Sequence, residues 1–175
     1  MFFYGRVFTQ RGLCRLSVSN PPMRFTMKNN SAIFYTCSLI EYIGRSTKQK
    51  RSAVASALGK SFIARIYRDS DVLHCEPIEK IADEVIQMKD LQNGSFDNVS
   101  SCRYEVPDYW TIGEVYERLV EDICGSEVSE ELIADTIMSV YASWISDAIS
   151  NYNSDFFYQS RQYIHECWKA GEIYE

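Results

Sequence analysis

From residue 132 to residue 152 apolar side chains recur at helical spacing: Leu132, Ile133, Ile137, Val140, Tyr141, Trp144, Ile145, Ala148 and Tyr152. Such a stripe lines one side of a helix of about six turns. A helix this one-sided is stable only when other elements cover its apolar face. The rest of the chain supplies more helices. Ser31 is placed to cap a helix whose stripe is Ile33, Cys37, Ile40 and Gly44, with Gly44 helping to end it. Ser52 opens a short helix over residues 53–58, Gly59 breaks it, and residues 61–68 resume with Phe62, Ile63, Ile66 and Tyr67 inward. Leu73, His74 and Cys75 form a turn. Pro77 suits the first position of the next helix, where its missing N–H costs nothing. That helix buries Ile78, Ile81, Ala82, Val85 and Ile86.

Thr111 and Glu114 have the spacing of a capping box, opening a helix that ends at Gly125. Ser129 caps the long stripe, and a last helix carries Phe157, Tyr163, Ile164, Cys167 and Trp168. The prediction is a mainly α protein: an irregular or orthogonal bundle of six or seven helices, with Tyr141 and Trp144 in the core. Residues 90–108 read as a loop, marked by Asn93-Gly94, Asp97-Asn98 and Pro107, with room for a small hairpin over 95–104. This loop divides an N-terminal helical half, 28–89, from a C-terminal one, 109–175.

The halves differ in charge. Residues 1–75 hold twelve Lys or Arg against three acids, and residues 76–175 hold six against twenty-one. Residues 1–27 contain four arginines and no acid. They read either as a targeting leader or as upstream sequence ahead of a true start at Met23 or Met27, the second being favoured because helical patterning begins just after Met27. Between residues 45 and 68 stand Arg45, Lys48, Lys50, Arg51, Lys60, Arg65 and Arg68, with no acid among them. The outline there is helix, Gly-containing turn, helix. Such a patch fits a helix-turn-helix nucleic-acid binder holding phosphates, an acidic protein partner, or the acidic half of its own chain.

At 46% hydrophobic and 24% charged residues, the chain can bury a core. No apolar run approaches the roughly 18 residues of a membrane helix. Six cysteines occur with no CxxC spacing, so neither a zinc knuckle nor a redox pair is indicated. Free thiols used as small hydrophobes imply a reducing, cytoplasmic setting. HExxH, GxSxG and a complete phosphate loop are absent from the sequence; Leu58-Gly59-Lys60-Ser61 lacks the upstream glycine and strand. His74 and Cys75 are adjacent, so their side chains point apart rather than forming a nucleophile pair. No catalytic residue, metal ligand or cofactor is assigned, and a non-enzyme is expected.

The segment 33–86 resembles a small bacterial domain of unknown function. The resemblance rests on Phe34-Tyr35-Thr36-Cys37-Ser38-Leu39-Ile40-Glu41, on Ile63-Ala64-Arg65-Ile66-Tyr67, and on the turn Asp71-Val72-Leu73-His74 ahead of a helix. It covers about a third of the chain, and Cys75 stands where the family usually has Thr. Genes of that family often lie beside those of proteins resembling ADP-ribosyltransferase toxins. The resemblance implies a toxin-associated, antitoxin-like accessory protein, with Asp71, Leu73, His74 and Cys75 as the motif turn. Stoichiometric binding to another protein, encoded by a neighbouring gene, is therefore expected, with Tyr152, Phe156, Tyr158, Tyr163 and Tyr174 as candidate interface aromatics. No membrane partner is expected, and the sequence points to no particular small-molecule ligand.

Overall fold

The computed structural model describes residues 30–126 and 129–174. The Arg-rich stretch over 1–27 and Cys14 lie outside the described residues. The protein is mainly α, as the periodicity predicts. Its elements are α1 (Asn30–Ser46), α2 (Arg51–Leu58), α3 (Lys60–Leu73), α4 (Ile78–Met88), α5 (Tyr109–Cys124), α6 (Glu130–Ala142), α7 (Trp144–Ile149) and α8 (Arg161–Ala170), with a 3-10 turn at Phe156–Tyr158. Among the described residues no helix is long and apolar enough to cross a membrane.

α1 is the central helix, with eleven of its seventeen residues buried. A helix covered on most sides has to be apolar or small on most sides. α1 meets this with Ala32, Ile33, Cys37, Leu39, Ile40, Ile43 and Gly44. It lies chiefly against α5, and also touches α2, α3 and α4, while α3 and α2 lie against α6. The basic and acidic halves are therefore interleaved in one core rather than stacked as two bodies. Tyr35, Tyr116 and Tyr141 are fully buried within it. A buried phenol needs a partner for its hydroxyl. Tyr141 donates to the Cys37 carbonyl at 3.3 Å, and Tyr116 lies 3.1 Å from Ser146 Oγ. The Tyr116 and Tyr141 rings stack at 4.3 Å between centroids. Burial pushes the Cys37 thiol up to about 12, so it stays protonated as a small hydrophobe. Much of the tyrosine enrichment thus serves the interior.

Several boundaries differ from the sequence reading, each for a local reason. α1 runs past Gly44 to Ser46, because Gly44 is small to let a side chain pass, not to stop the helix. Pro77 is the N-cap of α4, one position earlier than expected. α5 starts before Thr111, since Asp108 caps it by accepting from the Trp110 N–H. Glu114 is consequently inside the helix and pairs with Arg118 one turn on.

The 132–152 stripe is not one helix. Ser143 adopts an extended backbone conformation (φ −91°, ψ 169°), and its hydroxyl donates to the Val140 carbonyl at 2.8 Å. The break ends α6 and starts α7, giving eight α-helices among the described residues where six or seven are expected. Ile145 and Ile149 are still buried after the break, so periodicity alone does not reveal it. Tyr141 is core as expected, whereas Trp144 is half-buried against it. Ser129 caps α6 and Ser160 caps α8, and Gly171 closes α8 in the left-handed conformation at φ 80°.

No strand forms among the described residues, so the hairpin over 95–104 is absent. The loop's polar groups are taken up elsewhere. The N–H groups of Gly94 and Phe96 donate to the Thr47 and Lys48 carbonyls, both at 2.8 Å. Asn153 joins it from the far side, accepting from the Arg103 N–H at 2.8 Å and donating to the Ser101 carbonyl at 3.1 Å.

Candidate functional site

The stripe of α1 that carries Cys37 and Gly44 also turns Glu41 into the interior, where its side chain is fully buried. A lone carboxylate there would be very costly, so it must be paired. Arg51, the first residue of α2, supplies Nε at 2.8 Å to one oxygen and Nη2 at 2.7 Å to the other. Arg45 Nε lies 2.7 Å from Oε1, and the Tyr152 hydroxyl donates to the same oxygen. Three donors thus converge on Oε1 and one on Oε2, so both carboxylate oxygens are engaged. Burial alone would raise the pKa of Glu41, but the Arg51 and Arg45 guanidiniums outweigh it and hold the group at about 2. Fully buried and held ionised by two guanidiniums, Glu41 is a fastener rather than a proton carrier.

The fastener reaches three otherwise separate segments. Arg51 Nη2 donates to Asn98 Oδ1 at 3.0 Å, and Asn98 Nδ2 donates to the Ser150 carbonyl at 2.8 Å. Arg45 donates to the Pro107 carbonyl at 2.9 Å and to the Tyr152 hydroxyl at 2.7 Å. The 90–108 loop and the chain after α7 are both clamped to the α1–α2 corner. Gly44 makes the corner possible. A Cβ on it would meet Arg51 Cδ at 2.5 Å and Nε at 2.9 Å. Gly44→Ala is therefore expected to destabilise by about 1–2 kcal/mol, although the same change in an open helix stabilises by up to about 1 kcal/mol. A urea midpoint that rises in Gly44→Ala would refute the clamp.

The basic residues between 45 and 68 are dispersed among acidic partners. Arg45 and Arg51 belong to the buried cluster. Lys48 reaches Asp97 at 2.9 Å, Lys50 reaches Asp147 at 2.9 Å, and Lys60 reaches Asp135 at 2.7 Å. Arg65 lies 3.7 Å from Asp69, while Arg68 lies 3.3 Å from Asp69 and 3.6 Å from Glu130. The acidic C-terminal half thus faces much of the patch, which is one of the arrangements the charge asymmetry allows. Exposed pairs of this kind add little stability, about 0–1 kcal/mol each, but they offset the positive potential.

The motif turn divides in burial. Leu73 is buried, while Asp71, His74 and Cys75 are exposed. Tyr35 anchors it from α1, its hydroxyl reaching the Leu73 carbonyl at 3.5 Å and its ring packing 4.2 Å from the His74 ring. Cys75 Sγ lies 3.6 Å from the Asp71 carbonyl. Among the described residues no three His, Cys, Asp or Glu side chains converge as a metal site.

The candidate interface aromatics separate as well. Tyr152 and Phe156 are buried at 2% and 4% exposure, which corrects their assignment to a contact surface. Tyr152 is drawn in by Glu41, and Phe156 packs against Trp144 with ring centroids 6.2 Å apart. Tyr163 is half-buried, and its hydroxyl donates to the Tyr174 carbonyl. Tyr158 and Tyr174 are exposed, at 69% and 49%. The short 3-10 turn explains the contrast, sending Phe156 and Phe157 inward and Tyr158 out.

Sequence reasoning missed Tyr104, which is 70% exposed. It sits in an irregular loop where no periodicity marks a residue as inward or outward. Tyr104 and Tyr158 line one open groove of about 520 Å³, together with Glu105, Asn153, Ser154, Asp155, and the Tyr152 and Phe157 side chains. Phe157 meets Tyr158 at 4.3 Å and Tyr152 at 5.8 Å between ring centroids. Asp155 accepts from Gln159 Nε2 at 3.1 Å. The groove is made wholly of residues from the acidic half, and it leans on the buried clamp through Tyr152. No family model, no curated protein and no solved structure matches the chain, so its own geometry carries the functional reading.

Proposed function

We propose that this chain is a non-catalytic interaction module that acts by stoichiometric binding to another protein. The observation that carries the reading is the groove holding Tyr104 and Tyr158. Both are large aromatic side chains left in solvent, on segments fixed from below by buried contacts. Exposed aromatics on a rigid surface are the usual anchors of protein interfaces. The resemblance of segment 33–86 supports an antitoxin-like or toxin-associated accessory role, the partner being the product of a neighbouring gene in the bacterial cytoplasm. A nucleic-acid regulator is less well supported, because Lys50, Lys60 and Arg68 of the basic segment face acidic side chains of the other half.

Co-expression with the neighbouring reading frame tests the reading. A complex of defined stoichiometry that survives gel filtration is the expected result. Separate elution, with a neighbour that is harmless when expressed alone, would overturn the antitoxin-like role. In parallel, labelled duplex DNA at about 50 mM salt, where counterion release is most favourable, is not expected to be retained. Retention that weakens steeply with added salt would favour the nucleic-acid reading instead.

A further inference from the structure

We infer that the groove between Tyr104 and Tyr158 takes a cationic side chain, lysine or arginine, carried on an exposed basic segment of the partner protein. The inference rests on the interaction reading and adds the chemistry of what is bound. Two features set that chemistry. The aromatic faces at the groove are electron-rich, and a guanidinium or ammonium over such a face is attracted by the ring quadrupole. Glu105 and Asp155 line the same groove and are both exposed. Among the described residues no Lys or Arg lines it. The field there therefore favours a positive group and repels phosphates and acidic peptides.

The position of the cation follows from what lies beneath. Tyr152 forms part of the groove, but the Arg45 guanidinium already sits 5.0 Å from its ring centroid. The buried cluster holds two guanidiniums against one carboxylate, so the deep end is the less favourable site for a further cation. The outer part, near Tyr104, Tyr158, Glu105 and Asp155, is the favourable one. An apolar helix is a poorer occupant, since Asn153 and Ser154 interrupt the apolar surface that a helix-binding groove requires. The walls are held in place by Asn153 bonding the loop at Arg103 and Ser101 and by Asn98 bonding Ser150. A groove held in place before binding loses less entropy when it is occupied.

The test uses the full chain and a defined probe, a capped nonapeptide of alternating glycine and arginine. Its control carries citrulline, the neutral isostere, in place of arginine. With nitrogen-15-labelled protein, the arginine peptide is expected to shift amide signals centred on residues 104–105 and 155–158. The citrulline peptide should bind at least about tenfold more weakly, and Tyr104→Ala or Tyr158→Ala should each weaken the arginine peptide about two- to fivefold. Glu105→Gln with Asp155→Asn should weaken it further and flatten its salt dependence. All four side chains are exposed, so unchanged thermal melting will confirm that the variants fold. Equal binding of the citrulline peptide, shifts centred on another acidic face, or indifference to both tyrosines would overturn the inference. So would concentration-dependent shifts without peptide, which would mean that a second copy fills the groove. If the co-expressed partner still binds a variant that combines Tyr104→Ala, Tyr158→Ala, Glu105→Gln and Asp155→Asn, the groove inference fails and the interaction reading stands. If the peptide titrates but no partner complex forms, the reverse holds.

Discussion

Glu41→Gln is expected to lower stability by about 3–5 kcal/mol, the usual cost of breaking a fully buried ion pair from one side. Arg51 is wholly buried, and an amide gives it one acceptor oxygen where the carboxylate gave two. The amide's own N–H groups would also point at guanidinium N–H groups. Arg45 is slightly exposed and can turn to water, which softens the loss but does not remove it. Urea unfolding should show a lower midpoint with an unchanged slope. Removing the second charge too, in Glu41→Gln with Arg51→Met, is expected to recover part of the loss, because the uncompensated buried charge is what costs most. A loss under about 1 kcal/mol in the single variant would show that water reaches Arg51.

The same pair predicts a pH signature. Glu41 titrates at about 2 in the folded protein against an ordinary 4.5, so its folded form holds the proton less tightly than its unfolded form. Its contribution is fully present above pH 4.5 and is lost as pH falls from there toward 2. Wild type should therefore lose its advantage over Glu41→Gln within that window. Asp97 is also held at about 2, chiefly by the Ser100 N–H and then by Lys48. It is present in both proteins and cancels in the difference. A gap that stays constant from pH 6 to pH 2.5 would refute the assignment.

Gly113→Ala is expected to cost about 3 kcal/mol, the upper end of the range for overpacking a core. A Cβ on Gly113 would come within 2.9 Å of Ser38 Cβ and 3.0 Å of Ser38 Cα, and closer still to Ser38 Oγ. Ser38 Cβ and Cα are fixed in place by the helix backbone, so a rotamer change moves only Oγ and does not relieve the contact. α1 and α5 would have to separate, and theirs is the most extensive helix pairing among the described residues. Ser38 Oγ is buried there without a hydrogen-bond partner, which shows how tightly the two backbones meet. Ser38→Gly in the same chain should relieve most of the strain, giving a coupling between the two sites that calorimetry can read. Additive losses would mean that the helices are not limited by this contact.

Helical periodicity foretold which segments are helical because burial of one face leaves a repeating mark every three to four residues. It marks Ile33, Ile40, Ile63, Ile81, Ile137 and Tyr141 as inward, and all are buried. Ser129 and Ser160 each cap a helix through a local hydrogen bond; the first is legible in the sequence, while the aromatic run before Ser160 has a helical look that hides the second. The break at Ser143 was invisible, since apolar residues continue in phase on both sides.

Charge shows the limit most clearly. Composition gave the segregation into a basic and an acidic half, and that is a property of the chain read residue by residue. Which cation meets which anion depends on distances set by packing. In the sequence Glu41 is an acid in a basic half and Arg51 one member of a basic patch, and nothing there pairs the two. The fold buries both together with Tyr152, more than a hundred residues away in sequence from Glu41. Tyr104 lies in an irregular loop and Tyr158 ends a short 3-10 turn on a distant segment, so no repeating pattern announces that the two share a groove. The local forces that form helices act over a few residues and leave a trace in sequence. The Glu41 cluster and the groove arise from Coulomb attraction and packing between segments far apart in the chain, so only the tertiary structure decides them.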